Sequence, residues 1–286
     1  MRSKSIFLLA MIVFSTGHVR AGTWTTLDKP GAIYTSPYGI DGSNIVGQYS
    51  DVPGYWHGFL YDGTAWTTIN KQGATQTLPY GIDGSNIVGT YDGHGFLYDG
   101  TTWNTIDMPG ASYTIACGVA GSKVVGKYWD PDTGERGFLY DGENLTSIDL
   151  LGAACTSPSG IEGSNIVGTY VNPGQLPRGF LYDGISWTTI NYPGAVWTYA
   201  SGISGGNIVG CYWDGSAERG FIHDGITWTT INMPSVNGTR PQGISGNKVV
   251  GIYVAPVGPY GFLYEIPEPA TLLLLGLGGL VLRKRK

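Results

Sequence analysis

Between residues 22 and 265 the apolar side chains come in short alternating bursts, and the bursts repeat. The pair Gly-Phe puts Phe at 59, 96, 138, 180, 221 and 262, at spacings of 37, 42, 42, 41 and 41 residues. Gly39, Gly81, Gly118, Gly160, Gly202 and Gly243, each followed by Ile or Val, keep the same cadence. So do Trp24, Trp66, Trp103, Trp187 and Trp228, with Leu145 in the missing place. Six copies therefore fill 22–265 with no linker between them. In the first copy the alternation predicts strands over 37–41, 44–49, 57–61 and 65–70. Asp41-Gly42 and Asp62-Gly63 fall where tight hairpins need positive φ. The Trp, Thr, Ile, Val and Tyr content favours extended backbone. No helical period is present, so the class is all-β.

Four strands in about 40 residues, repeated, fit the period of a β-propeller blade. The ends of the repeat region complement each other. Residues 23–27 read as a fourth strand without a blade, and 261–264 as a third strand that lacks its fourth. Pairing them closes a six-bladed ring and removes two exposed edges. An open β-repeat solenoid is the alternative, and it needs no complementary ends.

The two termini carry addresses rather than fold. Arg2 and Lys4, an apolar run over 6–14 and Val19-Arg20-Ala21 read as a signal peptide, 1–21, cleaved after Ala21. The run is well short of the ~20 residues a spanning helix needs. At the other end, 266–286, Ile266-Pro267-Glu268-Pro269 leads into an apolar segment over 270–282 and then Arg283-Lys284-Arg285-Lys286. The prolines keep the tripeptide extended and open to an enzyme. A helix over 270–282 would reach roughly 20 Å, less than the ~30 Å hydrocarbon core. Its terminal cations would sit on the cytoplasmic side.

In motif, apolar run and basic end, 266–286 closely resembles the PEP-CTERM sorting signals, which exosortases recognise in Gram-negative bacteria that make extracellular polysaccharide. That resemblance implies export, transient retention in the inner membrane, and processing at Pro267, Glu268 and Pro269. The final location it implies is the cell surface or extracellular matrix. It is silent on the passenger domain. The internal copies in turn resemble HAF-type repeats of bacterial extracellular proteins, in Gly-Ile-x-Gly-x-x-Ile-Val-Gly followed by Gly-Phe-Leu-Tyr-x-Gly. They depart from that pattern by carrying Gly where Ala usually precedes Phe. No activity follows from this second resemblance.

Without its ends the chain is strongly acidic: 22–266 holds 9 basic and 20 acidic side chains, net −11. That balance argues against a nucleic-acid partner, which requires basic patches. Cys117, Cys155 and Cys211 show no metal spacing, and their odd number leaves at least one unpaired. A Cys117–Cys155 disulfide in an oxidising exterior stays open, subject to geometry. No metal or other cofactor is expected.

Comparing the six copies separates scaffold from site. Asp62, Asp99, Asp141, Asp183 and Asp224 each precede Gly and read as turn residues. Tyr49 and its five equivalents read as packing between blades. His57, His94, Arg136, Arg178 and Arg219 share one position and read as partners of nearby acids. The variation gathers in the connection between second and third strands and in the crossover between copies. Both leave the same end of the sheet, where loops on a rigid scaffold carry function. Candidate ligand-binding residues there are Tyr34, Tyr55, Trp56, Tyr113, Trp129, Asp130, Asp132, Trp197, Trp213 and Asp214. Aromatic faces beside carboxylates suit sugar rings, although the same rings could cover the disc's own core.

These residues point first to a non-catalytic surface or matrix protein that engages exopolysaccharide or another surface protein. A glycan hydrolase or lyase using two carboxylates on that face is the alternative, requiring a pair about 5–9.5 Å apart. A structural spacer is the third reading. No Ser-His-Asp arrangement, zinc spacing or phosphate loop supports other chemistry.

Overall fold

The computed structural model describes residues 22–255 and 258–267. The expected signal peptide with its Ala21 cleavage site, and the tail from Glu268 and Pro269 onward, lie outside the described residues. Residues 23–266 form one compact unit.

All the regular structure in that unit is β. The first strand, β1 (Thr23–Leu27), is followed by five meanders of four strands and one of three. The first set is β2–β5: Tyr34–Asp41, Asn44–Val52, Tyr55–Tyr61 and Trp66–Ile69. The second is β6–β9: Thr77–Asp83, Asn86–Tyr91, His94–Tyr98 and Trp103–Ile106. The third is β10–β13: Tyr113–Ala120, Lys123–Asp130, Gly134–Tyr140 and Leu145–Ser147. The fourth is β14–β17: Cys155–Glu162, Asn165–Val171, Arg178–Tyr182 and Trp187–Ile190. The fifth is β18–β21: Trp197–Ser204, Asn207–Trp213, Glu218–His223 and Trp228–Ile231. The sixth is β22–β24: Gly238–Ser245, Lys248–Ala255 and Gly258–Glu265.

The sixth set gains its fourth strand from the start of the chain. β1 runs antiparallel to β24, with Thr23 opposite Glu265 and Leu27 opposite Gly261. A single parallel bridge, Glu218 to Gly238, joins the fifth and sixth sets into one eight-stranded sheet. Every sheet is open, and together they make a propeller-like fold of repeated four-stranded units.

Packing explains why the repeat has these residues. The Phe of each copy is at most 1% exposed. It packs on the second Val of the preceding set's Ile-Val or Val-Val pair, as Phe96 does with Val46 and Phe221 with Val167. Phe59 of the first set meets Val250 of the sixth in the same way. Close approach between strands fixes the glycines. A Cβ on Gly47 would lie 2.2 Å from the Ser36 carbonyl oxygen, so no larger residue fits there.

A buried threonine sets the crossover between copies. Thr35, Thr77, Thr114, Thr156, Thr198 and Thr239 are at most 1% exposed. Each accepts a hydrogen bond at Oγ1 from the backbone N–H six residues earlier, for example Tyr192 to Thr198 at 3.1 Å. This satisfies a backbone donor where the chain leaves one set and starts the next. Two residues after each of these threonines the ladder skips a register, a bulge that re-aims the strand beside it.

The strands are longer than the alternation predicts. β2 begins at Tyr34 rather than 37, β3 runs to Val52, and β4 starts at Tyr55. Their ladder continues because Gly54, at φ 87°, turns the chain tightly and cross-strand pairs persist up to Val52 opposite Tyr55. Tyr34, Trp56, Trp129, Trp197 and Trp213 therefore lie on strand ends, not loops. Cys117, Cys155 and Cys211 are all free thiols.

Candidate functional site

Each sheet has two ends with different jobs. At the end holding the hairpins after the first and third strands, the Asp of each Asp-Gly pair after a third strand closes its own turn, whereas Asp41 and Asp83, after first strands, accept from Gly84 and Gly121 of the next set. Asp62 Oδ1 accepts from the N–H groups of Thr64 and Ala65, both at 2.7 Å. Asp99, Asp141, Asp183 and Asp224 repeat the pattern. These bonds hold each carboxyl below its ordinary range, Asp224 at about 2 with the Thr227 hydroxyl as its largest cause. They are turn builders, occupied by their own backbone.

The shared tyrosine packs between neighbouring sets, Tyr49 in a cluster with Val250 and Tyr212 in one with Val167, and bonds within its own sheet. Tyr49 is buried, and its hydroxyl meets Thr68 Oγ1 at 3.0 Å; Tyr170 and Tyr212 reach Thr189 and Thr230 likewise. The basic position pairs with acids in three copies: His57 with Asp51 at 3.5 Å, His94 with Asp107 at 2.7 Å, and Arg219 with Asp214 at 2.7 Å.

The opposite, crossover end carries the candidate aromatics, and it brings them together in pairs. Tyr34 stacks with Trp56, Tyr113 with Trp129, and Trp197 with Trp213. All three pairs have ring centroids 6.3 Å apart and planes within 30° of parallel. Tyr113 and Trp129 are directly opposed across β10 and β11, as are Trp197 and Trp213 across β18 and β19. Trp129 is 43% exposed and Tyr55 64% exposed; the other five rings are half-buried. The rings thus keep one surface toward solvent.

The candidate carboxylates are less free. Asp130 Oδ1 accepts from the N–H groups of Asp132 and Thr133, and Asp214 Oδ1 from those of Ser216 and Ala217. Both are held below the ordinary carboxylate range by these loop bonds, Asp214 first by the Ser216 hydroxyl and then by Arg219. Asp132 is exposed.

Two glutamates of the variable connections also stand beside the aromatic pairs. Glu135 and Glu218 occupy the same place in β12 and β20, two residues before the Gly-Phe pair. Glu135 sits 2.9 Å from Lys127 Nζ and accepts a hydrogen bond from Ser157. Burial works to raise its carboxyl, but Ser157 and Lys127 outweigh burial and hold it below the usual range. Glu218 accepts from Arg240 Nε at 2.5 Å and from the Cys211 thiol at 3.2 Å. Burial, and then the charge of Glu135, raises the Tyr113 phenol.

Glu218 and Arg240 line a cleft of about 420 Å³ with Trp197, Tyr199, Ser201, Cys211 and Gln242. A second hollow of about 200 Å³ reaches from Lys127 and Ser157 to Tyr38, Tyr80 and Cys117 nearer the axis. Burial pushes the Cys117 thiol up to about 11 and raises Cys155 and Cys211 too, so none is a ready thiolate. Tyr199 and Arg240 fall one residue before the strand start that the alternation predicts, and the candidate residues do not include them. Their signal is the disparity of Ser36, Leu78, Ile115, Ser157, Tyr199 and Arg240 at one equivalent position.

With this geometry in hand, comparison with known proteins adds an address and a fold. Residues 265–286 match the PEP-CTERM protein-sorting motif. The motif marks an exported protein sorted through its C terminus to the cell surface, with exosortase processing. No curated protein matches the chain. Among solved structures, an Aleuria aurantia lectin variant in complex with Fucα1-6GlcNAc is similar at TM-score 0.52 and 15% identity. The match covers 84% of this chain and 99% of that one. The β-propeller domain of the Trilobed protease from Pyrococcus furiosus matches at TM-score 0.50 and 10% identity, over 82% and 95% of the two chains. The Pyrococcus horikoshii acylaminoacyl peptidase matches at TM-score 0.53 and 11% identity, over 87% of this chain and 46% of that one. At such identities the shared property is the propeller fold.

Proposed function

We propose that this protein is a non-catalytic carbohydrate-binding component of the bacterial surface or extracellular matrix, engaging exopolysaccharide through its crossover end. The observation that carries the reading is the cleft beside Trp197. There a partly exposed aromatic surface meets a carboxylate and a guanidinium already oriented by each other. An indole offers its face to the C–H groups of a pyranose, while Glu218 accepts and Arg240 donates to hydroxyls. Among the described residues, the carboxylates displaced from their ordinary ionisation are displaced downward, whereas glycosidic acid catalysis requires one raised. A neutral polymer suits a domain of net −11, which repels polyanions.

The finer architecture belongs to the same proposal. The strand sets are six blades, closed by β1 on β24, and the copies are HAF-type repeats. The chain is made in a Gram-negative cell, loses 1–21 on export, and rests in the inner membrane by its tail until an exosortase cuts near Pro267-Glu268-Pro269. Closure predicts that deleting 22–27 exposes the β24 edge and lowers the melting temperature by more than 10 °C. An unchanged melting temperature would mean the ring does not depend on β1.

The binding reading is tested by native electrophoresis of residues 22–266, a unit with its own core, through gels containing bacterial exopolysaccharides. Retardation that Trp197→Ala and Glu218→Gln each weaken about tenfold or more, with no new reducing ends released, is the expected result. Release of reducing ends or of unsaturated uronate products would establish a hydrolase or lyase instead. Mobility unaffected by every polymer would leave a protein partner or a spacer.

A further inference from the structure

The aromatic pairs do not occur in every copy; they alternate. Tyr34–Trp56 belongs to the first strand set, Tyr113–Trp129 to the third, and Trp197–Trp213 to the fifth. At the position of Tyr34, Tyr113 and Trp197, the second, fourth and sixth sets have Gln76, Cys155 and Gly238. Neighbouring sets pack in chain order, first on second through fifth on sixth, and the first set also packs on the sixth. Equivalent strand ends spaced by two sets around such an arrangement lie about one third of a turn apart. The alternation is therefore a three-fold pattern laid over six similar units.

The polar residues beside the rings alternate as well. Two residues before Gly-Phe stand Glu135 in the third set and Glu218 in the fifth, each with a cation beside it, Lys127 and Arg240. The first set has Trp56 at that position, one member of its own aromatic pair. The intervening sets have Gly93, Pro177 and Pro259, which offer neither a ring nor a charge. A packing requirement would act on all the sets alike, since the buried Phe, Thr and Val positions recur in every one. Rings that serve only the core have no reason to skip alternate sets.

We propose that the domain carries three separate pyranose-binding sites, one at each aromatic pair, and grips a neutral polysaccharide by engaging several sites at once. This rests on the carbohydrate reading above and deepens it. The fifth-set site is the strongest, having two indoles, the Glu218–Arg240 pair and the 420 Å³ cleft. The third-set site substitutes a tyrosine and a lysine. The first-set site has Trp56 where the other two have a glutamate, and its nearest charge pair is His57 with Asp51 at a longer 3.5 Å, so it is the weakest. Each site alone binds a single sugar weakly. Linked through one polymer they multiply, because the second and third contacts form at high effective concentration.

The test uses residues 22–266 labelled with 5-fluorotryptophan, so that each of the nine indoles carries a ¹⁹F reporter, assigned by single Trp→Phe variants. Methyl glycosides of glucose, mannose, galactose and fucose serve as single-site probes, and dextran and galactomannan as polymers. One glycoside is expected to shift Trp56, Trp129, Trp197 and Trp213 in millimolar titrations. Trp24, Trp66, Trp103, Trp187 and Trp228, stacked within their own sheets or against the core, stay still. Trp129→Phe together with Tyr113→Leu should weaken polymer binding 10- to 100-fold while leaving the glycoside affinity at Trp197 unchanged. Shifts confined to Trp197 and Trp213, with polymer binding insensitive to the Tyr113 and Trp129 changes, would overturn the three-site proposal and leave carbohydrate binding intact. Absence of any indole shift with every glycoside and polymer would overturn both.

Discussion

Two ends of the same sheets show how one repeated sequence divides labour. At the hairpin end the copies behave alike. Each Asp after a third strand folds back on two backbone N–H groups, and each hairpin Gly takes positive φ. A Trp of the fourth strand packs on the Phe and Tyr of the third in four copies and on Phe221 and His223 in a fifth. At the crossover end the buried Thr is constant, while its neighbours on either side differ from copy to copy. Side chains satisfied by their own backbone have nothing left to offer a ligand. Those at the crossover end keep exposed faces and unspent donors, and that difference, rather than chemical type, separates scaffold tryptophan from candidate site tryptophan.

Two tryptophans ten residues apart make the sharpest test of that division. Trp187 lies 4.9 Å from Phe180 and 4.5 Å from Tyr182, packed onto the cluster that contains Val125 and Ile166. Trp197 stacks with Trp213 and meets Tyr199 edge-on at the mouth of the cleft. Truncating a half-buried indole in a cluster forfeits burial and leaves a void, so Trp187→Ala should cost about 2–3 kcal/mol. Trp197→Ala should cost about 1 kcal/mol or less. Urea denaturation measures both, and the exopolysaccharide gels report the reverse order: Trp197→Ala loses binding and Trp187→Ala keeps it. If both variants lost stability equally, the crossover rings would be core after all, and the comparison would fail.

Much of the scaffold could be read in the sequence because its causes are local. Asp-Gly fixes a hairpin, alternation fixes which face is buried, and the 37- to 42-residue cadence fixes the unit. The Thr lock was legible only in part. Its residue recurs visibly, but its partner is a backbone N–H, which leaves no trace in side-chain identity. The site resisted for a related reason. Glu218 meets Arg240 across two strand sets, and Glu135 meets Ser157 across two others. Spacing within one copy cannot reveal a pair formed between copies. The aromatic candidates were found because they differ from copy to copy, yet their stacking needed strands to run three residues past the predicted start at 37. Asp130 and Asp214 looked available by type and proved to be bound to their own loops.

The smaller effect tests the hairpin end alone. Asp62, Asp99, Asp141, Asp183 and Asp224 are held below the ordinary Asp value of 3.8, chiefly by backbone N–H groups in the first four and by the Thr227 hydroxyl in Asp224. A carboxyl whose folded value is depressed stabilises the fold above its unfolded value. That contribution fades as pH falls through the folded value. The domain's melting temperature should therefore be insensitive to these groups at neutral pH and should decline below pH 3.8, with the loss at Asp224 complete only below about 2. All five carboxyls are solvent-facing, so each contributes little and the decline is a sum of small steps. Asparagine presents the same acceptor oxygen to the turn without a titrating charge. A variant with Asn at all five positions should melt with a shallower acid slope than the wild type, while its polysaccharide binding at pH 7 stays the same. An acid slope that does not change would move the titrating groups to the crossover end, to Glu135, Asp130 and Asp214, and would make that end a contributor to stability as well as to binding.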